Sequence, residues 1–340
     1  MTHIRSRIVL SLAALIILSI APSVSAATLG APVSTATTPD PPLNPTAYAA
    51  YSGDYSYVAA GAAMRNQGYG NISITWTGTL FKAYLVWGYI YPTQISSAGT
   101  FNGVNITGTF QSTDLSPCWG NGNLSVYAAD VTSLVVNGIN NLKNFPSGIT
   151  DGSDPWSAAE APLDEGASLI VIYVPAAAVT NQVYVYTGTY TETNGGSLTS
   201  VFDHGATIAT VATTTFVIAD GQLPYNTAAW NNATIDANAF SGSDPKTSTA
   251  TWSYGNLWDT KTYSVPVALG STQDNATITG SGGDCLTWAA QVLSFPSTAP
   301  ITPPTTGVPQ FGMPMIVVAV SFLGLAFLAK KKSSLSSKAS

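Results

Sequence analysis

The side chains able to do chemistry are few. Cysteine occurs twice, at Cys118 and Cys285. In an oxidising compartment the default for such a pair is a disulfide. Closing so long a loop would remove unfolded-chain entropy worth roughly 4–5 kcal/mol. Histidine occurs only at His3 and His204, so no histidine cluster exists to build a zinc site. A Ser-His-Asp triad would have to use His204, in Asp203-His204-Gly205, and no nucleophile elbow flanks it. It reads as a solvated loop residue.

Carboxylates are the other candidates. Glu160, Asp164 and Glu165 lie close in sequence, but a glycosidase pair must face across a cleft, and spacing alone does not supply that. Asp151, Asp154, Asp164 and Glu165 offer hard oxygen ligands for calcium, with Gly152 allowing a tight loop, although no twelve-residue calcium loop is present. Calcium is the single cofactor this chemistry suggests. Asn71, Asn105, Asn123, Asn232 and Asn275 each open an Asn-x-Ser/Thr sequon and are glycosylation candidates in an exported chain. Trp119, Trp230 and Trp258 fall in loop-like or strand-end contexts and are candidates for stacking on sugar, whereas Trp76, Trp87 and Trp288 read as core.

The termini set the compartment in which these groups would work. Arg5 and Arg7 precede an apolar run, and small residues follow up to Ala26. This is the layout of a signal peptide over residues 1–26. Residues 311–329 (FGMPMIVVAVSFLGLAFLA) carry no charge and are followed by Lys330, Lys331 and Lys332. At ~1.5 Å per residue such a helix spans a ~30 Å hydrocarbon core. Lysines on that flank stay cytoplasmic. The expected localisation is therefore the cell surface: the body lies outside, the anchor sits in the cytoplasmic membrane, and the basic tail, residues 330–340, is inside. Pro309-Gln310-Phe311-Gly312, the apolar span and the lysines also resemble the tripartite sorting tails of prokaryotic surface proteins. That resemblance implies a tail that is cut.

Between the ends, Ala, Thr and Pro dominate residues 27–50, which read as a flexible linker, and Pro and Thr dominate residues 297–310, which read as a stalk. All seventeen acidic residues lie between residues 27 and 296, against five basic ones, a net charge of −12. Such a body has no electrostatic footprint for nucleic acid.

Period-two alternation marks Ile72, Ile74 and Trp76 as one face of a strand. Residues 81–91 (FKAYLVWGYIY) are apolar on both faces, as in a central strand. Further strands are expected at 124–128, 167–174, 183–191, 213–219, 249–254, 276–279 and 287–295, with short helical turns at 131–136 and 235–240. Block types then recur in order. Strand 83–91 matches 214–222, 101–109 matches 230–236, 123–135 matches 257–269, 137–144 matches 274–280, and 165–175 matches 282–296. The expected fold class is all-β. It comprises one or two β-sandwich, jelly-roll-like modules, the pair occupying residues 51–195 and 196–296.

Tyr127-Ala128-Ala129-Asp130-Val131-Thr132-Ser133-Leu134, followed by Asn137-Gly138 and Asn140, resembles a turn found in jelly-roll domains of the carbohydrate-binding type. The 83–87 strand, Cys118-Trp119-Gly120, the 165–169 strand entry and Gly283-Asp284-Cys285-Leu286-Thr287-Trp288 resemble a family of prokaryotic cell-surface β-sandwich domains of unknown function. That resemblance covers about residues 70–296. It implies an exported, anchored sandwich and supplies no catalytic residue. The expectation is a non-enzymatic, surface-anchored extracellular protein, structural or adhesive, with carbohydrate or a cell-envelope protein as partner. The alternatives are a membrane-anchored glycoside hydrolase and a subunit of a surface lattice or filament.

Overall fold

The computed structural model describes residues 45–297, apart from 117, 121, 178, 193, 194, 224, 225 and 281–283. The expected signal peptide, membrane helix and basic tail, and the stalk beyond Ser297, lie outside these residues. Among the described residues no helix is long and apolar enough to cross a membrane.

Every regular element described is a β-strand. They are β1 (Ala47–Gly53), β2 (Ser56–Ala63), β3 (Gly70–Ile74), β4 (Gly78–Tyr91), β5 (Ala98–Phe101), β6 (Val104–Thr107), β7 (Thr109–Leu115), β8 (Asn123–Asp130), β9 (Gly138–Lys143) and β10 (Leu163–Pro175). There follow β11 (Asn181–Thr191), β12 (Ser197–Asp203), β13 (Val211–Ala219), β14 (Thr227–Trp230), β15 (Ala233–Asp236), β16 (Trp258–Pro266), β17 (Gln273–Thr279) and β18 (Thr287–Pro296). They form four antiparallel sheets. Two are five-stranded, β2-β10-β4-β8-β7 and β1-β11-β18-β13-β16, and two are four-stranded, β3-β9-β5-β6 and β12-β17-β14-β15.

The repeat in the sequence reappears in these orders. Replacing β2, β10, β4, β8 by β11, β18, β13, β16, and β3, β9, β5, β6 by β12, β17, β14, β15, converts one half into the other. Two tight turns show the same correspondence at atomic detail. The β5–β6 turn holds Asn102 and Gly103 at φ of 50° and 82°, and the β14–β15 turn holds Asn231 and Asn232 at 47° and 65°. Positive φ at both central residues is what a two-residue hairpin demands, and Asn and Gly tolerate it. Asn102 Oδ1 then accepts from the Asn141 N–H (2.8 Å), and Asn231 Oδ1 from the Asn275 N–H (3.0 Å).

Alternation along the central strands explains why they are apolar on both faces. On β4, Tyr84, Val86 and Ile90 enter a core between the two five-stranded sheets, together with Ile170, Ile172, Val183, Val185, Val217 and Val292. Ala83, Leu85, Trp87 and Tyr89 enter a second core against the β3-β9-β5-β6 sheet. A third core, with Tyr186, Phe216, Trp230 and Trp288, lies beneath the β12-β17-β14-β15 sheet. The described residues thus form four layers, and the middle core joins the halves.

Some expectations are corrected. The linker expected through residue 50 gives way to strand at Ala47, because β1 pairs with β11 from Ala47↔Tyr186 to Gly53↔Asn181. β11 belongs to the second set of sheets, so the halves part between Pro175 and Asn181, upstream of residue 195. Residues 249–254 form no strand. Ile235 and Asp236 lie in β15 rather than in a helical turn. At 131–136 the expected turn is present, with Leu134 and Val135 N–H both donating to Val131 O.

Candidate functional site

Strand directions give the stack two ends. β10 ends at Pro175 and β18 at Pro296, beside the starts of β2, β4, β11 and β13. The other end gathers the last residues of β2, β4, β11 and β13 with the first of β10, β16 and β18. Here the halves meet in a cluster of ionisable groups.

Arg65 follows β2 and is fully buried. One guanidinium nitrogen, Nη2, contacts Glu165 Oε1 of β10 and lies 3.8 Å from Asp220 Oδ1, just beyond β13. The Arg65 Cζ sits 4.1 Å from the Trp119 ring centroid. The Trp119 indole N–H donates to Asp220 Oδ1 (2.6 Å). Trp119 therefore covers the cation with its face and ties down one of its anions with its edge, a cation–π arrangement strengthened by desolvation. Cys118, adjacent to Trp119, is disulfide-bonded to Cys285. Beside Cys285, Asp284 accepts from Asn226 Nδ2 (2.6 Å) and from the Cys285 N–H (2.9 Å).

Two carboxyls, Glu165 and Asp220, meet this one arginine. Burial pushes Glu165 up to about 8, with Asp220 adding to the rise against the pull of Arg65. Burial raises Asp284 to about 7, helped by Asp220, and also raises Asp220 itself. Asp164 is driven well above its ordinary value by burial and by neighbouring Glu165. Neither of its carboxyl oxygens has a hydrogen-bond partner among the described residues. The neutral acid is the form such a site tolerates. Along the seam, Asp244 accepts from Thr260 Oγ1 (2.6 Å), and burial raises it to about 7. Thr260 also meets Ser168 Oγ (2.6 Å), which accepts from the Trp258 indole (2.9 Å). Backbone crowding is part of this seam: a Cβ on Gly166 would lie 2.5 Å from the Trp258 ring.

The structure disposes the sequence candidates as follows. The Cys118–Cys285 disulfide is formed. The calcium set is not assembled: Asp164 and Glu165 are buried in β10, while Asp151 caps the Ser153 N–H and Asp154 the Trp156 N–H. Among the described residues no three of His, Cys, Asp and Glu form a group able to hold a metal. Glu160 is exposed, whereas Asp164 and Glu165 are buried. Trp230 and Trp258 are fully buried core residues and do not stack on ligands, because the strands carrying them face the interior. Trp119 is half-buried and engaged by Arg65. Trp76 is half-buried rather than core. His204 is not solvated; its Nε2 meets Asp274 Oδ2 (3.0 Å) and its Nδ1 meets Gly205 O (2.8 Å). Asn71, Asn105 and Asn232 are exposed, whereas Asn123 and Asn275 are half-buried.

Sequence reasoning missed Arg65, Asp220, Asp244 and Asp284. One signal was available: Arg65 is the only arginine beyond the N-terminal segment, and it follows an apolar run (YVAAGAAM) that offers it no water.

At this end an aromatic row reaches the surface. Trp119 and Trp156 ring centroids are 5.0 Å apart, Trp156 and Tyr254 5.1 Å, and Tyr254 is 53% exposed.

No protein-family profile matches this chain, and no curated protein does. Among solved structures it is weakly similar to a BuGH86 variant in complex with neoagarooctaose (10% identity, TM-score 0.23, covering 73% of this chain and 33% of that one). It is also weakly similar to a β-porphyranase of glycoside hydrolase family 86 from Bacteroides plebeius (9%, 0.19, 72% and 34%). A third is the insecticidal delta-endotoxin Cry8Ea1 of Bacillus thuringiensis (10%, 0.23, 73% and 52%). The chain spans between a third and about half of the chains it matches.

Proposed function

We propose that this chain is an exported, membrane-anchored surface protein without catalytic function, in which two jelly-roll sandwiches are fused into one stiff unit that stands out from the cell. Within each half the strand order, four strands facing four, is that of a jelly roll with added edge strands. The observation that carries the non-catalytic reading is the fate of the carboxylates. Asp164 and Glu165, two of the three carboxylates close in sequence that a glycosidase could have used, are fully buried. Glu165 instead pairs with Arg65, which also faces Asp220 of the other half. The end remote from Ser297, with Tyr254 and Trp156 at its surface, is where a cell-envelope protein or carbohydrate would meet it.

A glycan array and a reducing-sugar assay on the purified protein test this reading. Binding without turnover, or neither, supports it. Turnover that vanishes in Glu165→Gln while the variant stays folded overturns it.

A further inference from the structure

The end from which the chain leaves has its own chemistry. Ser297 is fixed there, its N–H donating to Thr180 O (3.0 Å) and its hydroxyl accepting from Gln182 Nε2 (2.7 Å). Loops 176–180, 204–210 and 267–272 contain no Asp, Glu, Lys or Arg. Around them are Val174, Val179, Ile208, Val211 and Leu269, exposed by 37%, 40%, 48%, 53% and 70%. Of these, Ile208, Val211 and Leu269 line a groove of about 690 Å³ together with Tyr57, Phe295 and Pro296. Clustered exposed aliphatics of this kind mark a surface that meets something apolar.

We propose that this end rests on the lipid bilayer, with Val179, Ile208 and Leu269 entering the headgroup–acyl boundary. The inference rests on the anchored reading above and adds the orientation of the body to it. The occupant follows from where the chain goes. Only residues 298–310 separate Ser297 from the uncharged run at 311–329. In an extended proline-rich form, at ~3.1 Å per residue, they reach ~40 Å. The aliphatic end is thus the one held near the membrane, and the end with the disulfide and Tyr254 points away. Uncharged loops with aliphatic tips suit the interface of a bilayer, where apolar area lost to water contributes binding. Asp54 and Asp203 flank this end, so neutral lipid suits it better than anionic lipid.

The test uses the full chain in nanodiscs of zwitterionic lipid containing a quencher lipid. A fluorophore is placed through Leu269→Cys or Tyr254→Cys; the native cysteines are bonded to each other. The expected result is severalfold quenching at 269 and none at 254. Ile208→Asp, at an exposed position, should abolish the quenching at 269 without unfolding the chain. Equal quenching at both labels, or none at 269, overturns the proposal. A 269 label shielded from water but not reached by the quencher lies against a second copy, and also overturns it. A chain that fails to enter the discs refutes the anchor, and this inference with it.

Discussion

The disulfide should contribute more to stability than any other single feature, and its position says why. The halves are continuous in sequence at one end, through residues 54–55 and 176–180. At the opposite end the covalent link is Cys118–Cys285, across a sequence separation of 167. In the chain-entropy treatment, a loop of that length raises the stability by about 5 kcal/mol. Cys118 is exposed, so a reductant reaches it, whereas Cys285 is buried. The double variant Cys118→Ser/Cys285→Ser should therefore lose about 5 kcal/mol in urea denaturation. It should also lose cooperativity, because the half that includes Arg65 no longer has its cover held in place. Hydrogen exchange should then rise first at Trp119 and Asp220, remote from the chain connection. A double variant with an unchanged urea midpoint, or one opening first near Asn181, would refute the reasoning.

Other predictions address the charges and the core. Arg65→Met leaves Glu165 and Asp220 buried without a counterion and should cost about 3–5 kcal/mol at pH 8. The loss should be smaller at pH 5, where Glu165, held up to about 8 by burial, is neutral; equal losses at both pH values would count against the network described. Asp244, Asp284 and Glu165 hold their protons to about 7, 7 and 8 in the fold and release them near 4 when unfolded. The folded chain then binds more protons across that window, so stability is complete below about pH 4 and falls as pH rises towards 8. For Asp244, raised from 3.8 to about 7, the loss is up to about 4 kcal/mol, and Asp244→Asn should flatten the slope in chemical denaturation followed against pH. Trp230→Ala empties a fully buried site stacked on Phe202 and should cost about 3–5 kcal/mol by thermal or urea unfolding.

Much of the architecture was legible because the central strands have an unusual pattern. Runs such as 81–91 and 167–174 are largely apolar at successive positions, as in strands buried on both faces. Four layers with three cores require such strands, and the repeat of block types located both copies. Edge strands were less legible. β12 and β17 alternate but carry Ser, Thr and Asn on the solvent side, and β1 sits in a stretch whose Ala and Pro content resembles a linker. The charged cluster was hidden for a different reason. Arg65 and Glu165 are 100 residues apart, and Asp220 and Asp284 come from the second half, so their meeting depends on how two sheets pack. No local spacing encodes that. The same holds for Trp258, whose strand-end context looked exposed until a second sheet covered it.

The places where the copies differ are the places where they touch. β7 has no counterpart in the second half, and its Gln111, Ser112 and Asp114 receive Thr187, Thr189 and the Thr191 N–H of β11. β1 has no counterpart in the first half, and its Tyr48 and Tyr51 pack on Tyr84 and Phe81 of β4. The insert before β10 has no counterpart either. Gly152 O accepts from Ser248 Oγ (2.6 Å) and from the Trp252 indole (3.2 Å), and Asp154 accepts from Ser253 (2.6 Å). A duplicated sandwich begins with two outward faces that cannot both be solvated and apolar. Each departure from the repeat supplies hydrogen bonds or aromatic contacts across that seam, and the disulfide fixes its far end. Buried charge at the junction adds to these contacts between the halves. It also makes the seam the most informative place to perturb: a change there should alter how the halves move together, while an equal change on an outer sheet should alter only its own half.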